Sequence, residues 1–324
     1  MISTRPQFLV QLIQALLASR GSKDINKGDP HGWTPLMCAA RERHSGATRV
    51  LLDNGAKLSI EGRGGVTALL LSSEQGHSAV TKILTDAGAD PAAALSRDRS
   101  TPLHLAATGG HSEVMRAPIE AGACSNSRRL DGATPLYLAA GSGHLDATKI
   151  LLHAEADPML TAGVHTPWKI FVPLDEEAGN GHTEVVRELL QRSGLKGCGD
   201  AGGRIVSLAT RHTHVDAMAL LMEAGLVDTG EALIVAASFG RLVSAKFLLE
   251  RQRCNARGEE KGEESYANAF DKFTTGPLLN ALGLRGYPAP RIVRMLVAGA
   301  NASNPSTRRQ GGPGDIGSHT SEYH

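Results

Sequence analysis

Two histidines, His104 and His111, stand seven residues apart in the run STPLHLAATGGHSEV (100–114), with Ser100, Thr101 and Glu113 close by. Imidazoles beside a hydroxyl and a carboxylate could hold a metal ion or move a proton. Two other runs invite similar questions. TRHTHVDA (210–217) sets His212, His214 and Asp216 in a His-x-His-x-Asp spacing. GCGDAG (197–202) has the Gly-x-Gly-x-x-Gly spacing of a turn that cradles a dinucleotide. Each chemistry needs a particular frame: a prepared ligand shell for a metal, or a strand feeding a helix for a phosphate turn.

The frame is visible as a repeat. GWTPLMCAA (32–40), GVTALLLSS (65–73), RSTPLHLAA (99–107) and GATPLYLAA (132–140) are one phrase, and Thr34, Thr67, Thr101 and Thr134 step by 33, 34 and 33. A second phrase follows each in fixed phase: RHSGATRVLLDNGA (43–56), GHSAVTKILTDAGA (76–89), GHSEVMRAPIEAGA (110–123) and GHLDATKILLHAEA (143–156). Thr followed by Pro is a helix start, because Thr caps the first free amides and Pro needs no N–H there. The alanine pairs, such as Ala106-Ala107, let helices approach closely. Gly76, Gly110 and Gly143 stand where a short helix ends in a positive-φ residue. A second helix follows, with Val80, Ile83 and Leu84 at helical spacing.

This pattern resembles the ankyrin repeat, a unit of about 33 residues that pairs two antiparallel helices with a protruding turn. The resemblance implies an all-α solenoid of such pairs. Residues 1–28 are expected to form a partial N-terminal capping repeat, with Asp24-Ile25-Asn26 at its tail, or else to mark a fragment of a longer protein. Residues 29–200 hold five repeats, the fifth beginning at His165-Thr166-Pro167-Trp168 and carrying an insertion near 173–178. Trp168, in place of the usual Leu, is expected in the core. Residues 201–250 form two degenerate repeats, 251–274 a charged inserted loop, 275–301 a degenerate C-terminal repeat and 302–324 a disordered tail. Pro118, inside SEVMRAPIEAG, costs about 3 kcal/mol in a helix interior and predicts a kink or a shortened helix.

The three chemical runs read differently once phased. The segment before GCGDAG, TEVVRELLQRSG, is helical in pattern, so the glycines suit an inter-repeat turn. The 210–217 run is similar to a metal-binding run of metallo-β-lactamases, but Ala217 stands where a further His is expected. His214 falls in register with His44, His77, His111, His144 and His182. Stacked helices lie about 8–10 Å apart, whereas one zinc ion joins nitrogens only about 3–4 Å apart. These histidines therefore belong to the fold, bonding local backbone and neighbouring repeats. His104 lies in the other phrase, where its counterparts include Met37, Leu70 and Tyr137, and the resemblance implies that it braces Thr101.

Composition sets the outer limits. Net charge is +1, with no basic field that argues for nucleic acid. Six Phe, two Trp and four Tyr are few for 324 residues and disfavour a β-sandwich. Cys38, Cys124, Cys198 and Cys254 are scattered and read as free thiols of a reducing, cytoplasmic or nuclear, compartment. No uncharged apolar run reaches membrane-span length. Residues 8–18 carry glutamines on one face and read as an amphipathic helix rather than a signal core. The Asn301-Ala302-Ser303 sequon has no secretory signal to serve.

No cofactor, metal ion or catalytic residue is expected. The resemblance implies a monomeric interaction module, a scaffold, adaptor or inhibitor, that binds a partner protein through a concave face of turn tips and exposed first-helix side chains. The other reading is an ankyrin segment of a larger signalling or channel protein whose activity lies in other domains. Carried over by register, the binding positions are Trp33, His31, Arg41, Glu42, Glu74, Gln75 and Thr108, with Pro30, Ser100, Leu130, Asp131 and Ala133 beside them. Trp33 leads, since exposed Trp is enriched among binding hot spots.

Overall fold

The structure, a computed structural model, describes residues 10–16, 24–160, 162, 173–193, 199–226, 231–241, 243–248 and 251. The chain divides into two compact units, Met1–Val227 and Asp228–His324. In the first unit, a short helix α1 (10–16) precedes six helix pairs. They are α2 (Pro35–Arg41) with α3 (Ser45–Asp53), α4 (Ala68–Glu74) with α5 (Ser78–Asp86), and α6 (Pro102–Thr108) with α7 (Ser112–Glu120). Then come α8 (Pro135–Gly141) with α9 (Leu145–His153), α10 (Pro173–Asn180) with α11 (Thr183–Ser193), and α12 (Gly199–His212) with α13 (Val215–Glu223). First helices pack on first helices and second on second, giving two helical layers. Among the described residues an isolated bridge between Gly62 and Val66 stands in place of any strand.

Helices α2, α4, α6 and α8 start where the sequence places them, each after its Thr. The hydroxyls of Thr34, Thr67 and Thr134 accept from the amides of Met37, Leu70 and Tyr137 at 3.3, 3.3 and 3.2 Å. The alanine pairs then disappear from solvent; Ala40, Ala106, Ala107, Ala139 and Ala140 are fully buried. Leu36, Leu69, Leu103 and Leu136 line the same seam. The second helices close it from the other side with Ala47, Val80, Val114, Met115, Ala147 and Leu151. Small residues in the seam explain how a chain poor in aromatics can still pack to a dry interior.

Consecutive units are tied at both edges. Asn26 accepts from the Lys57 amide at 2.8 Å and donates to the Gly55 carbonyl at 3.1 Å. Asn126 does the same one hundred residues on, to Asp157 at 2.8 Å and Glu155 at 3.3 Å. At the opposite edge each turn is a tight loop, closed by Asp29 N–H to Trp33 O, Gly62 N–H to Val66 O and Arg129 N–H to Ala133 O. Successive tips join backbone to backbone: Arg63 N–H to His31 O, Ser96 N–H to Gly64 O and Leu130 N–H to Asp98 O, at 3.3, 2.8 and 2.9 Å.

Two expectations are corrected. Residues 173–178 are not an insertion but the body of α10, with Pro173 at its start and Gly181 at positive φ after its end. Gly181 stands eight positions after Pro173, as Gly110 stands eight after Pro102, so in the sequence the extra residues of this repeat precede Pro173. The Thr166-Pro167-Trp168 run, including Trp168, lies outside the described residues. Helix α7 is not shortened by Pro118; it runs nine residues, as α3, α5 and α9 do. Pro118 sits in its last turn, where one i−4 bond is lost, and the Ala121 and Ala123 amides still close the end on Ala117 and Pro118.

In the second unit, α14 (Glu231–Ser238) is followed by Gly240 at φ 66° and by α15 (243–248). The Arg241 amide donates to Ala236 O at 2.7 Å, the bond that His111 makes to Ala106 at 2.9 Å. Arg241 thus holds the place that His holds elsewhere. The 251–274 loop, the 275–301 repeat and the 302–324 tail fall outside the described residues, except Arg251.

Candidate partner-binding face

His104 is fully buried. Its Nε2–H donates to the Ala133 carbonyl at 3.2 Å, which leaves Nδ1 as an acceptor. Nδ1 takes the Thr101 amide at 3.2 Å and the Thr101 hydroxyl at 2.8 Å. Thr101 and His104 therefore form a reciprocal cap at the start of α6. Burial pushes the imidazole down to about 4, and a protonated Nδ1 could no longer accept the Thr101 amide. Every polar atom of this ring is engaged by the fold.

The repeat histidines are engaged in another way. In four of them, each at the start of a second helix, the Nε2–H reaches back to a carbonyl near the end of the preceding first helix. His77 donates to Arg41 O at 2.8 Å, His111 to Glu74 O at 3.2 Å, His144 to Thr108 O at 3.1 Å and His214 to Gly179 O at 3.0 Å. The same rings lie over the preceding repeat's glycine; a Cβ on Gly76 would come within 2.7 Å of His111, and one on Gly110 within 2.6 Å of His144. His212 stacks on His214 with ring centroids 6.2 Å apart. Among the described residues, no group of three or more His, Cys, Asp or Glu is arranged to hold a metal ion. Part of GCGDAG falls in α12, whose start at Gly199 is helical.

Three of the four carbonyls that receive these histidines belong to Arg41, Glu74 and Thr108, positions singled out by register. Their backbones are thereby fixed, while their side chains, with those of Glu42 and Gln75, are exposed. Thr108 also donates its hydroxyl to His104 O at 3.0 Å. His31 is exposed at the first turn tip. Cys38, exposed on α2, and Cys124 are free thiols; partial burial pushes the Cys38 thiol up.

Trp33 is half-buried rather than exposed. Its amide, with that of His31, donates to the Asp29 carboxylate at 2.8 Å each. The Trp33 amide bond is the chief cause holding that carboxyl below its usual range. The indole edge packs toward Gly62, where an added Cβ would meet Cδ1 at 3.5 Å, and the ring joins the core built on Leu36, Met37 and Leu69. The Arg41 guanidinium lies 5.1 Å from its centroid. The pairing of a turn residue with the end of α2, and the approach of Arg63 Nη2 to the Pro30 carbonyl at 3.1 Å, were not visible as sequence neighbours. Register alone could have pointed to Arg63, since it occupies the place of Pro30 in the next tip.

Among the described residues, no helix is long and apolar enough to cross a membrane. No curated protein matches the chain. The family model described as ankyrin repeats (3 copies) matches residues 7–94 and 92–162. Ankyrin repeats are in general protein–protein interaction modules and typically non-catalytic. With the Thr-capped helix pairs, the histidine-to-carbonyl ties and that match in agreement, residues 7–162 of the chain are ankyrin repeats.

Proposed function

We propose that this protein is a monomeric, non-catalytic recognition module of the cytoplasm or nucleus. It binds a partner protein through the concave face made by the turn tips and the outer side of the first helices. One observation carries the reading. At the ends of α2, α4 and α6 the backbone carbonyls are consumed by the next repeat's histidines, while the side chains Arg41, Glu74 and Thr108 differ and are exposed. The fold thus fixes the position and leaves its chemistry free, which is what a recognition surface requires. His31, Trp33, Glu42 and Gln75 complete the face.

The test is site-specific photo-crosslinking in cell extract. A photoreactive side chain at Gln75 samples this face, and one at Lys82, exposed on α5, samples the opposite layer. Discrete protein adducts from Gln75, absent from Lys82 and weakened by Trp33→Ala, are expected. Adducts from Lys82 alone would remove the concave face from the account.

A further inference from the structure

The Trp33–Arg41 pair has a chemistry of its own. A guanidinium laid over an aromatic ring keeps its in-plane N–H donors pointing outward, and those donors match a carboxylate two by two. Arg41 is exposed, and no described carboxylate pairs with it. Its backbone is anchored by His77 at 2.8 Å and its head group rests 5.1 Å from the indole centroid. Much of the ordering cost of a long side chain is thus met before any ligand arrives.

The acid in the turn, Asp29, accepts the amides of His31 and Trp33 on Oδ1, and its charge also acts on Arg63. Arg63 stands on the adjoining tip, tied to Pro30 O at 3.1 Å, so a second cation flanks the same turn. The opposing charges are Glu42, next in sequence to Arg41, and Glu74, its counterpart one repeat on. Both are exposed, as is Glu61 two residues before Arg63, so their repulsion weakens a long-range encounter and leaves a direct contact with Arg41 as the source of any affinity.

We infer that the Trp33–Arg41 platform, with Arg63 beside it, receives an acidic side chain from an acidic segment of the partner protein. This rests on the concave-face reading above and makes it more specific. The apolar indole and the exposed Pro35 give that segment a surface to lie on, and Arg41 supplies a bidentate contact for one carboxylate.

The chain has two tryptophans, Trp33 and Trp168. Their indole N–H resonances in the full-length protein make a direct readout, assigned with Trp33→Phe. The probes are hexaglutamate, hexalysine and hexathymidylate at low salt. The expected result is a saturable shift of the Trp33 resonance with hexaglutamate only, with affinity at least five-fold weaker in Arg41→Gln and partly weaker in Arg63→Gln. Unshifted amide resonances elsewhere certify that each variant is folded. No shift with hexaglutamate, an equal response to hexalysine, unchanged affinity in Arg41→Gln, or tighter binding of hexathymidylate would each overturn the assignment. Crosslinking from Gln75 remains a separate readout: adducts there with a silent hexaglutamate titration would sink the acidic-segment assignment and leave the face intact.

Discussion

At the scale of single residues, side chains that look reactive are held by the fold, and two of them yield stability predictions. His104 is neutral in the folded state because burial pushes it down to about 4, whereas an unfolded His titrates near 6.5. Between those values the unfolded chain binds a proton that the folded chain refuses. The contribution is therefore complete above about pH 6.5 and is lost as pH falls toward 4. Urea unfolding at pH 7 and 4.5 should show the wild type losing about 2 kcal/mol more than His104→Leu over that interval. Equal losses would mean that the Thr101–His104 cap does not control the titration. Ser73 is the converse case. It occupies the place of Ala40, Ala107 and Ala140, is fully buried, and its hydroxyl has no partner. Its neighbour Ser72 is satisfied, donating to Leu69 O at 3.1 Å and accepting from Thr81 at 2.9 Å. Ser73→Ala should stabilise by about 1 kcal/mol, the cost of an unmet buried hydroxyl, whereas Ser72→Ala should destabilise. Chemical denaturation of both variants distinguishes them.

At the scale of elements, the device joining neighbouring repeats is a histidine ring over a left-handed glycine. Gly110 has φ 67°, and an added Cβ would stand 2.6 Å from Nδ1 of His144. Gly110→Ala should cost about 3 kcal/mol, combining backbone strain with the clash. In a His144→Ala background only the strain remains, so the same change should cost about 1–2 kcal/mol less. Additive effects in the double-mutant cycle would show that the ring does not bear on the glycine. This device was legible in the sequence because it recurs. The fifth repeat was harder to phase because its sequence holds two candidate starts, Thr166-Pro167-Trp168, which lies outside the described residues, and Pro173-Leu174, where α10 begins. Counting back from Gly181-His182 would have found it. Pro118 misled for a different reason: composition marks a proline as a breaker, but it removes only its own bond to the Val114 carbonyl, and the amides beyond it still pair, so α7 keeps its nine residues. The candidate site was only half legible. Exposure at Arg41, Glu74 and Thr108 followed from register, but the burial of Trp33 and its contact with Arg41 depend on the space that Gly62 leaves in the next tip.

At the scale of the whole molecule, stability in a stacked array is a sum of unit terms and nearest-neighbour terms, so an uneven pattern should open unevenly. Within the first unit, α4 through α9 combine Thr caps at the first helices, glycine at positive φ between helices, and small residues at the seam. The stretch from α10 to α13 keeps less of this. The residue before Pro173 in the sequence is Val172 rather than Thr, and a Thr cap contributes about 1 kcal/mol. Helix α12 begins Gly199-Asp200-Ala201-Gly202-Gly203, and each interior glycine costs about 0.5–1 kcal/mol relative to Ala. Thr213, β-branched, takes φ 68° where the better repeats have glycine, a conformation that costs a further 1–2 kcal/mol or so. Against this stand a sound apolar seam, with Leu174, Val185, Val186, Leu189 and Met218 nearly or fully buried, and the His214 tie to Gly179. The balance predicts that α10–α13 opens as a sub-global unit while α4–α9 stays closed. Native-state hydrogen exchange should place the slowest amides in α5, α6 and α7, with opening free energies in α10–α13 lower by about 2 kcal/mol or more. Thr213→Gly should raise protection in α12 and α13 without changing that of α5. Uniform protection from α2 to α13 would mean that the first unit unfolds as one block. The proposed recognition positions at Trp33, Arg41, Glu74 and Thr108 all sit on or beside the better-capped repeats, so binding of a partner at the proposed face should slow exchange near them while the opening of α10–α13 continues.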